Sequence, residues 1–595
     1  MSSSPQRQIP IIIGVGDVIN RSLEVEDAIE PLGLMVQSLS KSFSDTGISD
    51  DGEKLTLLKK SVDDVRVVRN WTWPYADVCQ RVLDGILGEE KRGDGNVGKV
   101  VYKEESEHGG NSPVKMLDEA CRRVGRGESK VAVVVGERRW SVVISSASKT
   151  GTYPSHWTPP ASDPRKILAL QEGVETLGTI HQIGLPIHVY PLYENAFRAH
   201  RHQSQLDNSA ESAKLYAQFA AVAAENEFAW NRESAGRLSE ESIGKVGRGN
   251  RMICWPYPLL MNAFNNVNMA ASCIITSVSF ATELGIPEDK WIYPLGGAGM
   301  REKDNFWERP NFYSSEALET SLDSALDVSG LETKDIDIFD FYSCFPIVPK
   351  LAAHHLKIPF LNPPRPITLL GGLTSFGGAG NNYSLHAITE MTRQLRSKKG
   401  QVSDHKNAGV LNGLILANGG VLTYQHVVCL STKPRSDGKE YQNGNPCASI
   451  VQSVTNNDKN DLDIVGSEGV KNGVWEGIIE TYTVQFSRKN EPQTGFVVGR
   501  LKQTGKRFLA NVADSKTLRN LVKESEEEII GKGAGYGKRR TEREICLGLR
   551  GGLICDRRNS EDKLLLKTNE GKTCFDSMEI LDRDGDVNLL NNTGT

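Results

Sequence analysis

The chain has 595 residues, enough for about four domains at ~150 residues each. Hydrophobic residues make up 38% and charged residues 24%, a globular composition, and 70 basic against 75 acidic residues leave a net charge of −5, which excludes a global basic field for nucleic acid. No window supplies the ~18 uncharged apolar residues of a membrane span, and ten cysteines without a Cys-x-x-Cys pair speak against disulfide scaffolding and a structural zinc site.

The first 140 residues alternate short apolar runs with amphipathic segments, the rhythm of helices covering a largely parallel sheet. The pattern predicts strands at Ile9–Val15, Val62–Val68 and Gly98–Tyr102, and helices at Pro31–Phe43 and Tyr75–Leu87. Val114, Leu117, Ala120, Cys121 and Val124 line one face of a further helix, with Ser112 as its expected N-cap, Pro113 at the first helical position and Gly125 and Gly127 as its stop. Lys130–Val135 follows as a buried strand.

Residues 145–255 are rich in His, Tyr, Asn and Ser and lack that alternation; they read as a largely helical insertion or lid. From 256 the α/β rhythm resumes, with helices expected at Met269–Leu284 and Ser315–Leu326 and a strand at Asp335–Phe341. SFSDTGI at 42–48 and ALDVSGL at 325–331 each end a helix with a Gly-hydrophobic pair, a weak internal repeat suggesting two duplicated halves. Residues 435–475 have a linker composition. In the tail, Ile478–Phe486, Gly495–Leu501, Arg507–Val512, Ile545–Leu549 and Leu564–Lys567 predict a small antiparallel barrel or sandwich. GKGAGYGKRR at 531–540 lacks the Gly-Lys-Ser/Thr of a phosphate loop and reads as a solvated hairpin connection.

HGGNSPVKMLDEA at 108–120, DFYSCFP at 340–346, GGLTSFGGAGNNYSLHA at 371–387 and LANGG at 416–420 together resemble the four active-site loops of the thiolase superfamily. The likeness is to the branch related to sterol-carrier-protein thiolases, and most closely to thiolase-like proteins with an additional C-terminal β-domain. It implies an α/β fold with a duplicated five-layered αβαβα core: an N-terminal half at 1–144, a loop domain at 145–255, a C-terminal half at 256–434, a linker at 435–475 and a β-domain at 476–595 with a disordered end. It further implies binding of coenzyme A or an acyl-CoA thioester, with no permanently bound cofactor and no metal. A homodimer is common in the family.

The family's chemistry uses a cysteine at a helix N-terminus, a histidine that activates it, a second cysteine as acid/base, and an Asn or His that orients an oxyanion-holding water. Those positions fall here on Gly110, Gly378, Ala417 and Tyr342. Losing a nucleophile or its base costs on the order of a millionfold in turnover in a hydrolase comparison, and one oxyanion donor a further ~10²–10³. Thiolytic or Claisen chemistry by the usual route is therefore not expected.

Cys344 is read either as a small packing residue or as a substitute nucleophile, Ser343 as a nucleophile only if a base lies near, and His108 as an acid/base or a structural histidine. His386 is read as packing or solvated. Asn111, Ser112, Gly377 and Gly378 are the expected ligand-binding positions, Gly110 leaving bare N–H groups before a space once filled by a cysteine side chain. Two functions stand side by side: an acyl-CoA-binding protein, with acyl transfer as its candidate activity, and an inactive scaffold that meets a protein partner through its β-domain. Without a recognisable secretory signal or Ser-Lys-Leu address the expected location is cytoplasmic, a peroxisomal one staying open.

Overall fold

A computed structural model describes residues 8–22, 24, 27–70, 72–88, 102–139, 157–163, 176–399, 410–456, 475–512, 514–523, 528–538 and 545–549. The N-terminal elements are β1 (Pro10–Ile19), α1 (Pro31–Ser44), α2 (Gly52–Lys60), β2 (Val62–Val67), α3 (Val78–Leu87), β3 (Tyr102–Glu105), α4 (Ser112–Gly125) and β4 (Val131–Arg139). The insertion supplies the long helices α5 (Pro186–His200) and α6 (Gln205–Glu225) and the short strands β5 (Met252–Cys254) and β6 (Tyr257–Pro258). Then come β7 (Asn268–Ser277), α7 (Val278–Leu284), β8 (Tyr293–Arg301), α8 (Glu316–Ser329), β9 (Ile338–Phe341), α9 (Ile347–His355), α10 (Tyr383–Lys398), β10 (Asn412–Gly419) and β11 (Tyr424–Ser431). The tail holds β12 (Trp475–Phe486), β13 (Pro492–Leu501), β14 (Arg507–Val512), α11 (Ser515–Leu521), β15 (Gly533–Lys538) and β16 (Ile545–Leu549).

Two mixed sheets make the core. One runs β1-β7-β4-β2-β3, the other β8-β11-β10-β9. Pairing is parallel for β4–β2, β2–β3 and β10–β9 and antiparallel elsewhere in these two sheets. The two-residue side-chain period assigns faces. Ile11 and Ile13 of β1 join Met35, Leu39 and Phe43 of α1, whereas Ile12 joins the cluster around Val114 and Leu117 of α4. In β8, a side chain at Gly296 would strike Ser329 of α8, and one at Gly297 would strike Asp118 of α4. Helices α4 and α10 touch strands of both sheets and so lie between them.

Three expectations are corrected. Asn268–Ser277 is a strand, not a helix: β7 is central, buried along its whole length, so its small and apolar residues show no alternation. Ser112 is the first residue of α4 rather than its cap, and its hydroxyl donates instead to the Glu107 carbonyl at 3.1 Å. Residues 435–447 are no slack linker. Tyr441 donates to buried Asp118 at 2.8 Å and Arg435 reaches the Leu295 carbonyl at 3.2 Å, contacts that a polar composition conceals. The SFSDTGI segment leads into α2 rather than directly into a strand, yet Gly47 and Gly330 both adopt left-handed backbone, at φ 82° and 68°.

In the tail the pairings run β13-β14-β16-β15-β12, with β12 also on β13, and continue through β12 onto β5 and β6. The sheet is antiparallel except for β14–β16, which is parallel. The expected run at Leu564–Lys567, and most of Gly98–Tyr102, lie outside the described residues. Among the described residues no helix is long and apolar enough to cross a membrane, and no group of three or more His, Cys, Asp or Glu is disposed to hold a metal.

Candidate functional site

The four loops singled out by sequence meet between the sheets, at the N-terminus of α4. Asn381 ties two of them together: it accepts the Gly109 N–H at 3.0 Å and donates to the Arg69 carbonyl at 2.9 Å, with its amide 3.3 Å from His108 Nδ1. Ser384 Oγ donates to the Gly110 carbonyl at 3.0 Å. Tyr342 leaves β9 with its N–H on the Leu416 carbonyl, 3.0 Å away in β10. Gly110 and Tyr342 are thus adjacent, and Ala417 lies in β10, fully buried, paired with His426.

The space before Gly110 is not empty. A first side-chain carbon there would lie 2.7 Å from the Tyr342 hydroxyl and 2.5 Å from the Asn418 carbonyl oxygen. Tyr342 packs edge-on against Tyr383 with ring centres 5.3 Å apart, and only 7% of it is exposed. Burial, with the nearby Cys344, drives the phenol far above its usual range, so it is a neutral hydrogen-bond donor.

The glycine pair 377–378 is tightly packed as well. The Gly378 N–H is bonded to the Phe264 carbonyl at 2.6 Å, and Gly377, at φ 117°, lies where a side chain would strike Val267 and Trp230.

Cys344, Ser343, His108 and His386 sit in different surroundings. Burial pushes the Cys344 thiol up to about 12, with Asn418 Nδ2 3.8 Å from its sulfur. Ser343 is fully buried, and its hydroxyl has no hydrogen-bond partner among the described residues. His108 is exposed at the site's edge, and partial desolvation together with the charges of Arg69 and Arg138 lowers its pKa, leaving it neutral near pH 7. His386 is neither solvated nor simply packed: Nδ1 meets Asp17 Oδ1 at 2.6 Å while Arg393 takes the other carboxylate oxygen. Against the cost of burial, Arg393 and His386 hold the Asp17 carboxyl below its ordinary value.

Two contributors escaped the sequence reading. Asn418, inside the quoted LANGG stretch, donates to the Tyr190 hydroxyl at 2.8 Å and accepts from Gln425 at 2.7 Å. Tyr190, which donates to the Gly420 carbonyl at 3.0 Å, comes from α5 in the insertion, where no local pattern marks it.

A family model described as the thiolase-like protein type 1 additional C-terminal domain matches residues 463–535. No curated protein matches the chain significantly. Among solved structures, a monomeric SCP2-thiolase-like protein type 1 from Mycobacterium smegmatis superposes with a TM-score of 0.71 at 27% identity, over 91% of this chain and 99% of its own. Human mitochondrial 3-ketoacyl-CoA thiolase and the dimeric peroxisomal thiolase of Saccharomyces cerevisiae each reach 0.48 at 12% identity, over 71% of this chain and 98% of theirs, too distant to carry an argument.

Proposed function

We propose that this thiolase-like chain, whose residues 463–535 match the additional C-terminal domain of the type 1 thiolase-like proteins, binds an acyl thioester without cleaving or condensing it by cysteine chemistry. The packing of α4 and α10 between two sheets, with α1 and α8 outside them, supports the five-layered arrangement of that superfamily. One observation carries the functional reading: the nucleophile position, Gly110, is closed by the Tyr342 hydroxyl at 2.7 Å from any added side-chain carbon. The alternative thiol, Cys344, stays protonated at neutral pH.

Calorimetric titration with CoA and acetoacetyl-CoA, run beside a thiolysis assay, tests this. Saturable binding without thiolysis is the expected result; turnover sinks the non-catalytic half of the reading, and absent binding sinks the other.

The same closure favours a second reading, in which the core is a scaffold and a protein partner meets the β-domain. Deleting residues 476–595 is a poor test of it. Strand β12 pairs with β5, and Arg507, fully buried, holds the Trp307 and Pro310 carbonyls at 2.9 and 3.0 Å, so deletion would unseat the core. Surface substitutions on β13 and β14 are the better probe.

A further inference from the structure

One face of β13 and β14 is turned toward the core. Phe496, Val498 and Leu509 join the same buried cluster as Leu192 and Tyr193 of α5, while the alternate residues Val497, Phe508 and Ala510 fill the β-domain's own interior. Two histidines of the insertion, each 3% exposed, meet that face at one cross-strand pair, Phe496 and Asn511. His181 donates its Nδ1–H to Asn511 Oδ1 at 3.0 Å, and Asn511 Nδ2 donates back to the His181 carbonyl at 3.1 Å. His188 packs on Phe496 and donates its Nε2–H to Gln485 Oε1 of β12. Its Nδ1 is buried without a partner among the described residues.

Docking therefore fixes both rings as neutral imidazoles. A proton on either adds a charge to a dry interface, and on His188 it adds an N–H that finds no acceptor. The ion pairs nearby give no relief. Arg507 is engaged by Glu480 and by the carbonyls of Trp307 and Pro310, and Arg198 by Glu528. Cys254 of β5, paired with Gln485, has its thiol pushed up by burial and stays neutral. Among the described residues no carboxylate acts on either ring, and burial lowers both histidines against the pull of their amide partners. We propose that His181 and His188 form an acid-released latch between the insertion and the β-domain: protonation of the two rings frees the β13–β14 face and leaves the core sheets folded. Strand pairing within those two sheets involves neither residue. The docked state holds both rings neutral and a released one takes up both protons, so acid below the ordinary histidine range favours release.

Two cysteines separate local release from unfolding. Cys254 is buried beside the interface, and Cys273 lies within β7, a central strand buried along its whole length. The full chain is treated at pH 7 and pH 5 with dithiodipyridine, which still attacks thiols in acid, and the labelled peptides are mapped by mass. Each rate is divided by that of the urea-unfolded chain at the same pH. On this scale Cys254 labelling should rise about twentyfold from pH 7 to pH 5, and Cys273 labelling should not rise. His188→Gln should remove most of the Cys254 increase. An equal rise at both cysteines means global unfolding and overturns the proposal, as does an unmoved Cys254. An undiminished rise in a folded His188→Gln variant overturns it too. Should that variant fail to fold, the comparison of the two cysteines in the unaltered chain decides alone.

Discussion

The Tyr342 hydroxyl lies 2.7 Å from where the first side-chain carbon of residue 110 would stand, so glycine at 110 and tyrosine at 342 are two halves of one packing solution. Either residue alone would be out of place: a cysteine at 110 would strike the ring, and a small residue at 342 would leave a hole over α4.

That relationship predicts a coupled pair. Gly110→Cys should destabilise by about 1–3 kcal/mol through overpacking, and Tyr342→Ala by about 3–5 kcal/mol through the cavity it leaves. In the double variant the two costs should partly cancel, by about 1 kcal/mol, because the Asn418 carbonyl at 2.5 Å still crowds residue 110. Urea unfolding of the four proteins measures it, and strict additivity would break the link. Thiolysis should stay absent in the double variant, since Gly378 and Ala417 still supply neither base nor acid.

Cys344 provides a chemical check. With its thiol held up at about 12 by burial, the thiolate fraction at pH 8 is on the order of one part in ten thousand, and the residue is largely buried as well. Native protein should therefore resist iodoacetamide at this residue, and unfolded protein should react. Peptide mass mapping decides; rapid native labelling of Cys344, or its acylation by an acyl-CoA, would restore it as a nucleophile.

The site was legible in its loops and not in its contents. HGGNSP, DFYSCFP, GGLTSFGGAGNNYSLHA and LANGG mark the four loops because glycines and prolines are local signals. What fills the turns is a matter of volume between residues more than 200 positions apart, as with Gly110 and Tyr342, and no spacing rule reports it. The same reason hid Tyr190, Asn381 and the Asp17–His386 pair, each a long-range contact. In the fold, α1 and β14 begin as expected, at Pro31 and Arg507, because their patterns are periodic. Asn268–Ser277 went wrong because a central strand buried on both faces has no period to read.

The insertion and the β-domain meet through neutral histidines. His188 of α5 donates its Nε2–H to Gln485 Oε1 of β12 at 3.2 Å, packs at a tilt against Phe496 of β13 with ring centres 4.6 Å apart, and leaves Nδ1 buried without a partner among the described residues. Burial lowers its pKa to about 4. The folded chain therefore binds fewer protons than the unfolded one between pH 6.5 and 4, so stability is full above 6.5, falls as pH drops through that window and levels off below it. The loss from this residue is about 3 kcal/mol. His181, lowered by burial although bonded to Asn511 of β14, acts in the same direction. Thermal unfolding from pH 7.5 to 4 should show the decline, and His188→Gln should flatten it; an unchanged slope in that variant would place the acid sensitivity elsewhere.

Arg507 fixes the β-domain more firmly. Its guanidinium is fully buried, lies 5.1 Å from the centre of the Phe312 ring, and meets Glu480 at 2.7 Å as well as the backbone carbonyls of Trp307, Arg309 and Pro310. A buried charge with this many acceptors is held by geometry, and removing it takes the donor from three carbonyls and leaves Glu480 to Arg500, 2.6 Å away. Arg507→Met, similar in length, should cost about 3–5 kcal/mol and loosen β12–β14 from residues 307–310. Arg507→Lys should recover only part, because one ammonium cannot span a carboxylate and three carbonyls in a planar fork. Limited proteolysis resolves where the damage falls: early cleavage between residues 475 and 512 marks release of the β-domain, whereas unaltered cleavage with a lower melting temperature would mean that Arg507 stabilises the chain without holding the domains together.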